Sequence, residues 1–312
     1  MMGDFWKGLG GRLAERWATA LFSPAFVFWV GGLLAWLLRP EAPGGDWKSR
    51  LLAFGRELQG QPLLVQGIYV IAPLILVTLS GLALRQAAFP VLRMLEGYWP
   101  AALDPVADRM RARLSDRADR RATRLRALAA VASTALTPRQ LTERARLERR
   151  HRRVPAQRAQ RRPTRLGNTL RAAESRPRAR YGLDPVVCWP RLWLLLPDTA
   201  RQEATAAYTS LLVTVQVFVC GLLSTVWTVW SWWALPAGLL VAVAAHLRMY
   251  YAAMTLGDVF EACFDVHRRL LYQAVCWPLP KNPMDERTEG PRLTTYLSTG
   301  SRRDEPAFVD PV

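Results

Sequence analysis

The amino-acid sequence predicts an all-α integral membrane protein with four transmembrane helices and a basic helical cytoplasmic domain. Three observations carry this prediction. Two apolar runs, at residues 21–38 and 62–84, contain no charged residue, and each has about the length of a helix that crosses a bilayer. A third charge-free run covers residues 204–247 and is long enough for two spans. The excess positive charge is confined to one segment between the second and third predicted spans.

The first apolar run is interpreted as an uncleaved span. Lys7, Arg12 and Arg16 precede it, as basic residues precede the hydrophobic region of a signal peptide, which is the alternative interpretation. Bulky side chains stand at residues 36–38, where a cleavage site needs small ones. We therefore expect the run to remain in the protein as its first span.

The second span contains two residues of interest. Pro73 lies near its middle and is expected to kink it, because proline removes one backbone donor. Gln66 is its strongly polar side chain. It is a candidate pore-lining residue, and the alternative is a hydrogen bond between helices.

The third and fourth spans are expected to meet in a turn near residues 231–236. Tryptophans typical of a membrane–water interface cluster there, namely Trp227, Trp230, Trp232 and Trp233. His246 lies at the end of the fourth span. An ionisable residue in a span is a functional candidate for proton relay or pore lining, whereas an imidazole near the interface is tolerated without a function.

The basic flanks set the predicted orientation. Arg85 and Arg93 follow the second span, and Arg248 follows the fourth. The positive-inside rule places these flanks in the cytoplasm, so an even number of spans puts both termini there, in a bacterial inner membrane. The loop between the first two spans runs against this rule, because it carries Arg39, Lys48, Arg50 and Arg56.

Residues 101–180 hold 23 Arg and 7 acidic residues, a net charge of +16 out of +17 for the whole chain. Anionic lipid headgroups attract basic residues near a membrane by about 1 kcal/mol each. Nucleic acid and acidic protein are the other candidate partners. The interval has no Phe, Trp or Tyr on which bases would stack, so phosphate contact is favoured over base recognition. The alternative is that the block only holds this loop in the cytoplasm. The predicted phosphate contacts are Arg149, Arg150, Arg152, Arg153, Arg158, Arg161 and Arg162.

Three helices are expected within this block. Asp104 and Thr137 each place a capping oxygen before a proline, which is a helix start signal, and a third helix is expected to begin near Thr164. The segment at residues 149–162 is so basic that we expect it to be mobile or held by an acidic partner.

Three carboxylates share one face of the helix that is expected to follow the fourth span. Asp258, Glu261 and Asp265 stand three and four residues apart. Such a stripe is able to hold a divalent cation, but His267 lies on another side of the helix, and the preferred interpretation is that the stripe pairs with the arginine-rich segment.

The predicted order along the chain combines these elements. It is a cytoplasmic N-terminal segment (1–20), two spans with an external loop (21–98), an arginine-rich cytoplasmic helical domain (99–182), an interfacial or re-entrant segment (183–207), two further spans (208–248), a cytoplasmic helix (249–280) and a disordered tail (281–312).

The stretch at residues 162–198 resembles a family of bacterial four-span membrane proteins without an established activity. These proteins share an LGN-LRAAE element, then YG-D, and then an apolar WPRLW-LLP segment before a hydrophobic hairpin. The resemblance covers about 40 residues strongly and implies an architecture but no mechanism. The matching residues are Leu166, Gly167, Asn168, Leu170, Arg171, Glu174, Tyr181, Gly182, Asp184, Trp189, Pro190, Arg191, Leu196 and Pro197.

The apolar segment within this element is too short to cross a bilayer. It is predicted to be interfacial or re-entrant, with Trp189 and Trp193 at the lipid headgroups and Arg191 reaching phosphate. The alternative is a small packed helical hairpin without membrane contact.

Two hypotheses for function follow. The first is a homo-oligomeric pore or channel component gated through its cytoplasmic helices, and the second is a scaffold that recruits an acidic or phosphate-bearing partner. A membrane enzyme ranks third, because the sequence has no catalytic motif, and no cofactor, metal or small-molecule substrate is predicted. The spacing of the cysteines is not that of a metal site, so packed, reduced thiols are expected at Cys188, Cys220, Cys263 and Cys276.

Overall fold

The computed structural model describes residues 23–39, 47–132, 135–300 and 307–309, and over these residues the chain forms helices and no strand. The predicted all-α class is therefore confirmed for the described residues. The α-helices are α1 (Pro24–Leu37), α2 (Trp47–Gln59), α3 (Leu63–Glu96), α4 (Asp104–Ala129), α5 (Pro138–His151), α6 (Arg165–Tyr181), α7 (Pro185–Leu195), α8 (Asp198–Leu223), α9 (Ala234–His267), α10 (Arg269–Ala274) and α11 (Pro283–Thr299).

The chain divides into two compact units. The first comprises Met1–Leu92 and Leu212–Met249, and the second comprises Arg93–Leu211 and Tyr250–Val312. Helices α3, α8 and α9 each contribute residues to both units.

Three helical stretches, beginning at Leu63, Asp198 and Ala234, are long and apolar enough to cross a membrane. Within the first of them, only 6% of the apolar window is buried. Burying apolar surface is the main force that folds a helix in water, so an apolar surface left this open is typical of a helix surrounded by lipid. The helix also continues through Pro73 and Pro90.

The first predicted span is shorter than expected. The two residues at its start lie outside the described part of the chain, and α1 has 14 residues, or about 21 Å at 1.5 Å per residue. The hydrocarbon core of a bilayer is about 30 Å thick, so α1 does not reach the length of the other three stretches. Four spans are therefore not established, whereas three helices of sufficient length are.

Small residues and tryptophan hold the first unit together. The indole Nε1 of Trp29 donates a hydrogen bond to Ser80 Oγ over 3.0 Å, which joins α1 to α3. A Cβ on Gly32 would lie 2.6 Å from the ring of Trp227, and one on Gly221 would lie 2.7 Å from the backbone nitrogen of Ala242. Helices that pack without a hydrophobic driving force use such close backbone approach.

The second unit has an apolar core formed by α7, the C-terminal part of α9, α10 and α11. Its fully buried side chains are Leu183, Cys188, Leu192, Leu196, Cys263, Phe264, Leu271, Tyr272, Trp277 and Leu293. Helix α7, the apolar segment that is too short to span, buries Cys188 and Leu192 there.

The prediction of a disordered tail is wrong for residues 283–299. Asn282 caps α11, since its side chain accepts hydrogen bonds from the backbone nitrogens of Met284 and Asp285. Leu293 is completely buried, and a Cβ on Gly290 would lie 1.9 Å from the carbonyl oxygen of Tyr181. The proline-, glycine- and threonine-rich composition that suggested disorder instead allows α11 to pack directly against the end of α6.

Helix starts in the arginine-rich segment follow their local signals in part. Thr137 caps α5 in a capping box with Gln140, and Thr164 caps α6, as predicted. Asp104 does not cap α4, because the helix begins one residue earlier than expected and Leu103 occupies the N-cap position without a side-chain hydrogen bond. Arg124 joins α4 to α5 through two hydrogen bonds to Glu143, of 3.0 and 3.2 Å.

Replacing Gly290 by Ala tests the packing of α11. The added methyl group has no room beside Tyr181, so we expect α11 to detach and its amide protons to exchange at least about tenfold faster, the equivalent of about 1.4 kcal/mol. Hydrogen–deuterium exchange of the segment 283–299 by mass spectrometry measures this change. Thr295→Ala, at an exposed position of the same helix, is the control, and equal exchange in both variants would contradict the packing described here.

Candidate phosphate-binding surface

The residues that carry the family resemblance at the start of α6 hold that helix in place. The Asn168 side chain donates to the carbonyl oxygens of Arg162 and Thr164 and accepts from the Arg162 backbone nitrogen, each over 2.8 Å. Leu166 is buried. A Cβ on Gly167 would lie 1.9 Å from the carbonyl oxygen of Glu96, so α6 crosses the end of α3 in direct backbone contact.

The residues at the end of α6 turn the chain. Gly182 ends the helix in a left-handed conformation with a φ of 72°, which glycine adopts without steric cost. Asp184 caps α7 by accepting a hydrogen bond from the Val186 nitrogen over 3.0 Å. The hydroxyl of Tyr181 donates to Asp265 over 2.7 Å.

The acidic stripe of α9 pairs with α6. Glu261 is 5% exposed and forms ion pairs with Arg176 and, over 2.8 Å, with Arg180. Arg180 also lies 3.4 Å from Asp265, whereas Asp258 is exposed. The prediction that the stripe pairs with the arginine-rich segment is confirmed for Glu261 and Asp265.

Part of the basic segment at residues 149–162 is neutralised by carboxylates of the same chain. Arg158 lies 2.5 Å from Asp116, and Arg161 lies 2.7 Å from Asp119. Arg161 is only 9% exposed and also donates to the carbonyl oxygens of Ser115 and Pro155. The acidic partner expected for these two arginines is thus α4, and they link α4 to the segment before α6.

Aromatic rings engage two further arginines that were predicted to contact phosphate. The guanidinium of Arg162 lies 4.1 Å from the ring centre of Tyr98 and donates to its hydroxyl over 2.8 Å. Arg153 lies 5.5 Å from the ring centre of Tyr250. Arg162 also lines a cavity of about 400 Å³, whose other arginines are Arg111, Arg158, Arg161 and Arg171. Of these, Arg111 is paired with Asp108 and Arg171 with Glu174.

A second group of arginines has no carboxylate partner within the described residues. Arg121 of α4 and Arg150 of α5 line one small cavity, and Arg117 of α4 and Arg165 of α6 lie within electrostatic reach of Arg121; we call these four residues the arginine cluster. Burial, followed by the positive charges of Arg150, Arg165 and Arg117, lowers the pKa of the Arg121 guanidinium from its usual value. A bound anion relieves the repulsion among neighbouring positive charges.

The remaining predicted phosphate contacts extend this surface. Arg149 and Arg152 are exposed at the end of α5, next to Arg150 of the arginine cluster. Arg117, Arg121 and Arg165 were not singled out from the sequence. A usable signal was present for two of them, since Arg117 and Arg121 are four residues apart and therefore lie on one face of α4.

The membrane-interface residues of α7 pack against the second unit. The rings of Trp189 and Phe260 lie 4.6 Å apart, and those of Trp189 and Trp193 lie 5.7 Å apart. Arg191 donates to the carbonyl oxygens of Val187 and Leu297, over 2.6 and 2.7 Å. These contacts pack one side of α7 into the second unit, and the exposed guanidinium of Arg191 is hydrogen-bonded to the end of α11. Contact of α7 with headgroups stays a prediction.

In the first unit, the candidate pore and interface residues lie in ordinary helix surroundings. The Gln66 side chain donates to the carbonyl oxygen of Gln61 over 2.9 Å, Pro73 lies inside α3, and the His246 ring is 6.0 Å from that of Phe218. None of these contacts tests a pore. Among the predicted interface tryptophans, Trp227 and Trp230 stack 5.1 Å apart, while Trp232 is 72% exposed and Trp233 is half-buried.

Two features bear on metal and thiol chemistry. Over the described ranges, no group of three or more His, Cys, Asp or Glu side chains is placed to hold a metal ion. The four cysteines are free thiols, and Cys188, Cys220 and Cys263 are buried. Burial raises the pKa of Cys188 to about 11.

Replacing Glu261 by Gln tests the pairing between α6 and α9. The variant keeps the shape of the side chain but leaves Arg176 and Arg180 without their buried counter-charge, at an expected cost of about 1–3 kcal/mol of unfolding free energy. Thermal unfolding in detergent, followed by tryptophan fluorescence, measures the loss. Asp258→Asn removes an exposed charge from the same helix and should change the midpoint little, so equal destabilisation by both variants would contradict a specific role for Glu261.

The raised pKa of Cys188 predicts low thiol reactivity. Because burial disfavours the thiolate, Cys188 is almost fully protonated at pH 8, and only the thiolate reacts with alkylating reagents. We expect iodoacetamide to label the half-buried Cys276 in the native protein and Cys188 only after unfolding, as measured by mass spectrometry of tryptic peptides. Equal labelling rates for these two thiols in the native state would show that Cys188 is not buried as described.

No protein-family model matches the chain, and comparison with curated proteins and with solved structures finds no match. The resemblance at residues 162–198 therefore stays a prediction, and the arguments for function are drawn from the geometry of these residues.

Proposed function

We propose that this chain is a non-enzymatic membrane scaffold whose arginine-rich helical unit binds phosphate groups, namely those of anionic phospholipid headgroups. The arginine cluster carries the proposal, since Arg121 and Arg150 line one cavity, Arg117 and Arg165 lie within electrostatic reach of Arg121, and none of the four has a carboxylate partner among the described residues. Elsewhere in the same unit, Arg158, Arg161 and Arg176 are each paired with an Asp or Glu. A cluster left uncompensated is typical of a surface that obtains its counter-charge from a ligand.

The position of the cluster in the chain favours lipid over nucleic acid. Tyr250 raises the pKa of Arg121 in opposition to the neighbouring arginines, so it lies within electrostatic reach of the cluster. Tyr250 follows the charge-free run 204–247 by three residues on the continuous helix α9. Basic residues that lie close to the end of an apolar membrane-length helix meet anionic headgroups at high local concentration. Residues 101–180 also lack the aromatic side chains on which bases stack.

The wider setting is part of the same proposal. We also propose four spans across a bacterial inner membrane, with α1 as the first span and both termini in the cytoplasm. This topology puts the basic unit on the cytoplasmic side, as the positive-inside rule expects. Assembly into a homo-oligomer and the pore hypothesis stay predictions, since no arrangement of side chains described above supports them specifically.

Removing the charge of the arginine cluster tests the headgroup proposal. In the variant Arg117→Gln/Arg121→Gln/Arg150→Gln/Arg165→Gln, we expect the dissociation constant for short-chain phosphatidylglycerol to rise at least about tenfold, since each basic residue contributes about 1 kcal/mol to binding an anionic surface. Microscale thermophoresis of the full chain in a neutral detergent measures the affinity, with short-chain phosphatidylcholine as the zwitterionic comparison.

The control has the same net charge as the test variant. Arg126, Arg139, Arg269 and Arg287 are exposed and lie in the second unit, and their replacement by Gln should leave the affinity within about twofold. If both quadruple variants lose affinity equally, the binding depends on total charge and the cluster has no special role. If single-stranded oligothymidylate binds more tightly than phosphatidylglycerol at physiological salt, nucleic acid is the partner and the lipid proposal is wrong.

A further inference from the structure

The second unit contains a large apolar cavity, distinct from the arginine-lined cavity. It has a volume of about 630 Å³, within the range of about 300–1,000 Å³ that is usual for ligand sites. Four helices form its wall. The lining residues are Leu170, Ala173, Glu174, Trp189, Pro190, Trp193, Ala204, Thr205, Tyr208, Leu256, Gly257 and Phe260.

The wall offers hydrocarbon and aromatic surface and few free polar groups. Its charged residue, Glu174, is already paired with Arg171 over 3.0 Å. The hydroxyl of Thr205 donates to the carbonyl oxygen of Arg201 over 2.7 Å. A polar ligand would find little to orient it here, whereas an extended hydrocarbon chain would contact apolar atoms along its length and gain the free energy of leaving water.

The wall is also continuous with helices of membrane length. Ala204 and Tyr208 lie at the start of the charge-free run of α8, and Leu256 and Phe260 lie on α9 after the end of that run. Both helices belong to the three stretches that are long and apolar enough to cross a membrane. We therefore expect the molecule that reaches this cavity to be a membrane lipid and not a soluble metabolite.

We propose that this cavity binds one acyl chain of a membrane phospholipid. Trp189 and Trp193 of α7 form one side of the site, and their rings, which are only half-buried, contact the chain. Gly257 closes the cavity on the side of α6, because a Cβ at this position would lie 3.0 Å from the Cβ of Ala173. The site is separate from the arginine cluster and does not depend on it.

Native mass spectrometry of the delipidated full chain in detergent tests the proposal, with dipalmitoyl phosphatidylcholine as the probe. This lipid has no net charge, so the arginine cluster contributes little to its binding. We expect one phospholipid to bind saturably to the unaltered protein. Thr205→Trp and Leu256→Trp, which fill the cavity from two different helices, should each weaken this binding at least about tenfold, because the acyl chain loses its contacts with the wall.

Ala206→Trp is the matched control, since Ala206 is an exposed neighbour of Thr205 that does not line the cavity. We expect it and the quadruple Arg→Gln variant of the cluster to retain the affinity of the unaltered protein, and hydrogen–deuterium exchange of α8 and α9 confirms that each variant is folded. Absence of saturable one-to-one binding, or equal loss in Ala206→Trp, overturns the proposal. Tighter binding of palmitic acid or of tetradecyltrimethylammonium than of the phospholipid also overturns it, because the occupant would then be a free fatty acid or an organic cation.

Discussion

Glu261 shows how charge burial governs the second unit. A carboxylate that is 5% exposed is stable in its charged form only if opposite charge lies within a few ångströms. Arg176 and Arg180 supply that charge, and because they are four residues apart they lie on one face of α6. The pairing fixes both the rotation of α6 and its distance from α9. The remaining contacts of α6, with Glu96 at one end and with Gly290 and Pro291 at the other, depend on that placement.

The same rule separates two kinds of arginine in this chain. Arg158 and Arg161 form ion pairs with Asp116 and Asp119, and these pairs hold α4 against the segment before α6. Arg117, Arg150 and Arg165 instead lie within electrostatic reach of Arg121, and Arg150 lines the same cavity as Arg121. Repulsion among these arginines lowers the free energy of unfolding. The loss is small because the guanidinium groups are partly solvated and water screens their charges. The sequence composition alone does not separate these two groups, since both lie within the interval of +16 net charge.

Local signals predicted much of the secondary structure, while long-range packing decided the rest. The caps at Thr137, Thr164 and Asp184 involve residues two to three positions apart, so the sequence is sufficient to predict them. Helix α11 was missed because its stability comes from Leu293 in a distant core and from Gly290 against Tyr181. Composition reports neither contact. The pairing of Glu261 was predictable as a type, because a stripe of carboxylates and a large excess of arginine must meet, but the identity of Arg176 and Arg180 required the fold.

Helix α6 links the two proposed lipid contacts within the second unit. Its first residue, Arg165, belongs to the arginine cluster, and Leu170, Ala173 and Glu174 line the apolar cavity. The buried ion pair between Arg176 and Glu261 and direct backbone contacts at both ends hold α6 in place. Arg165 is the first residue of α6, and the cavity residues lie at positions 170–174, so the two proposed contacts use separate parts of this helix. The LGN-LRAAE element thus fixes the start of α6 through Gly167 and Asn168 and places Glu174 on the wall of the apolar cavity.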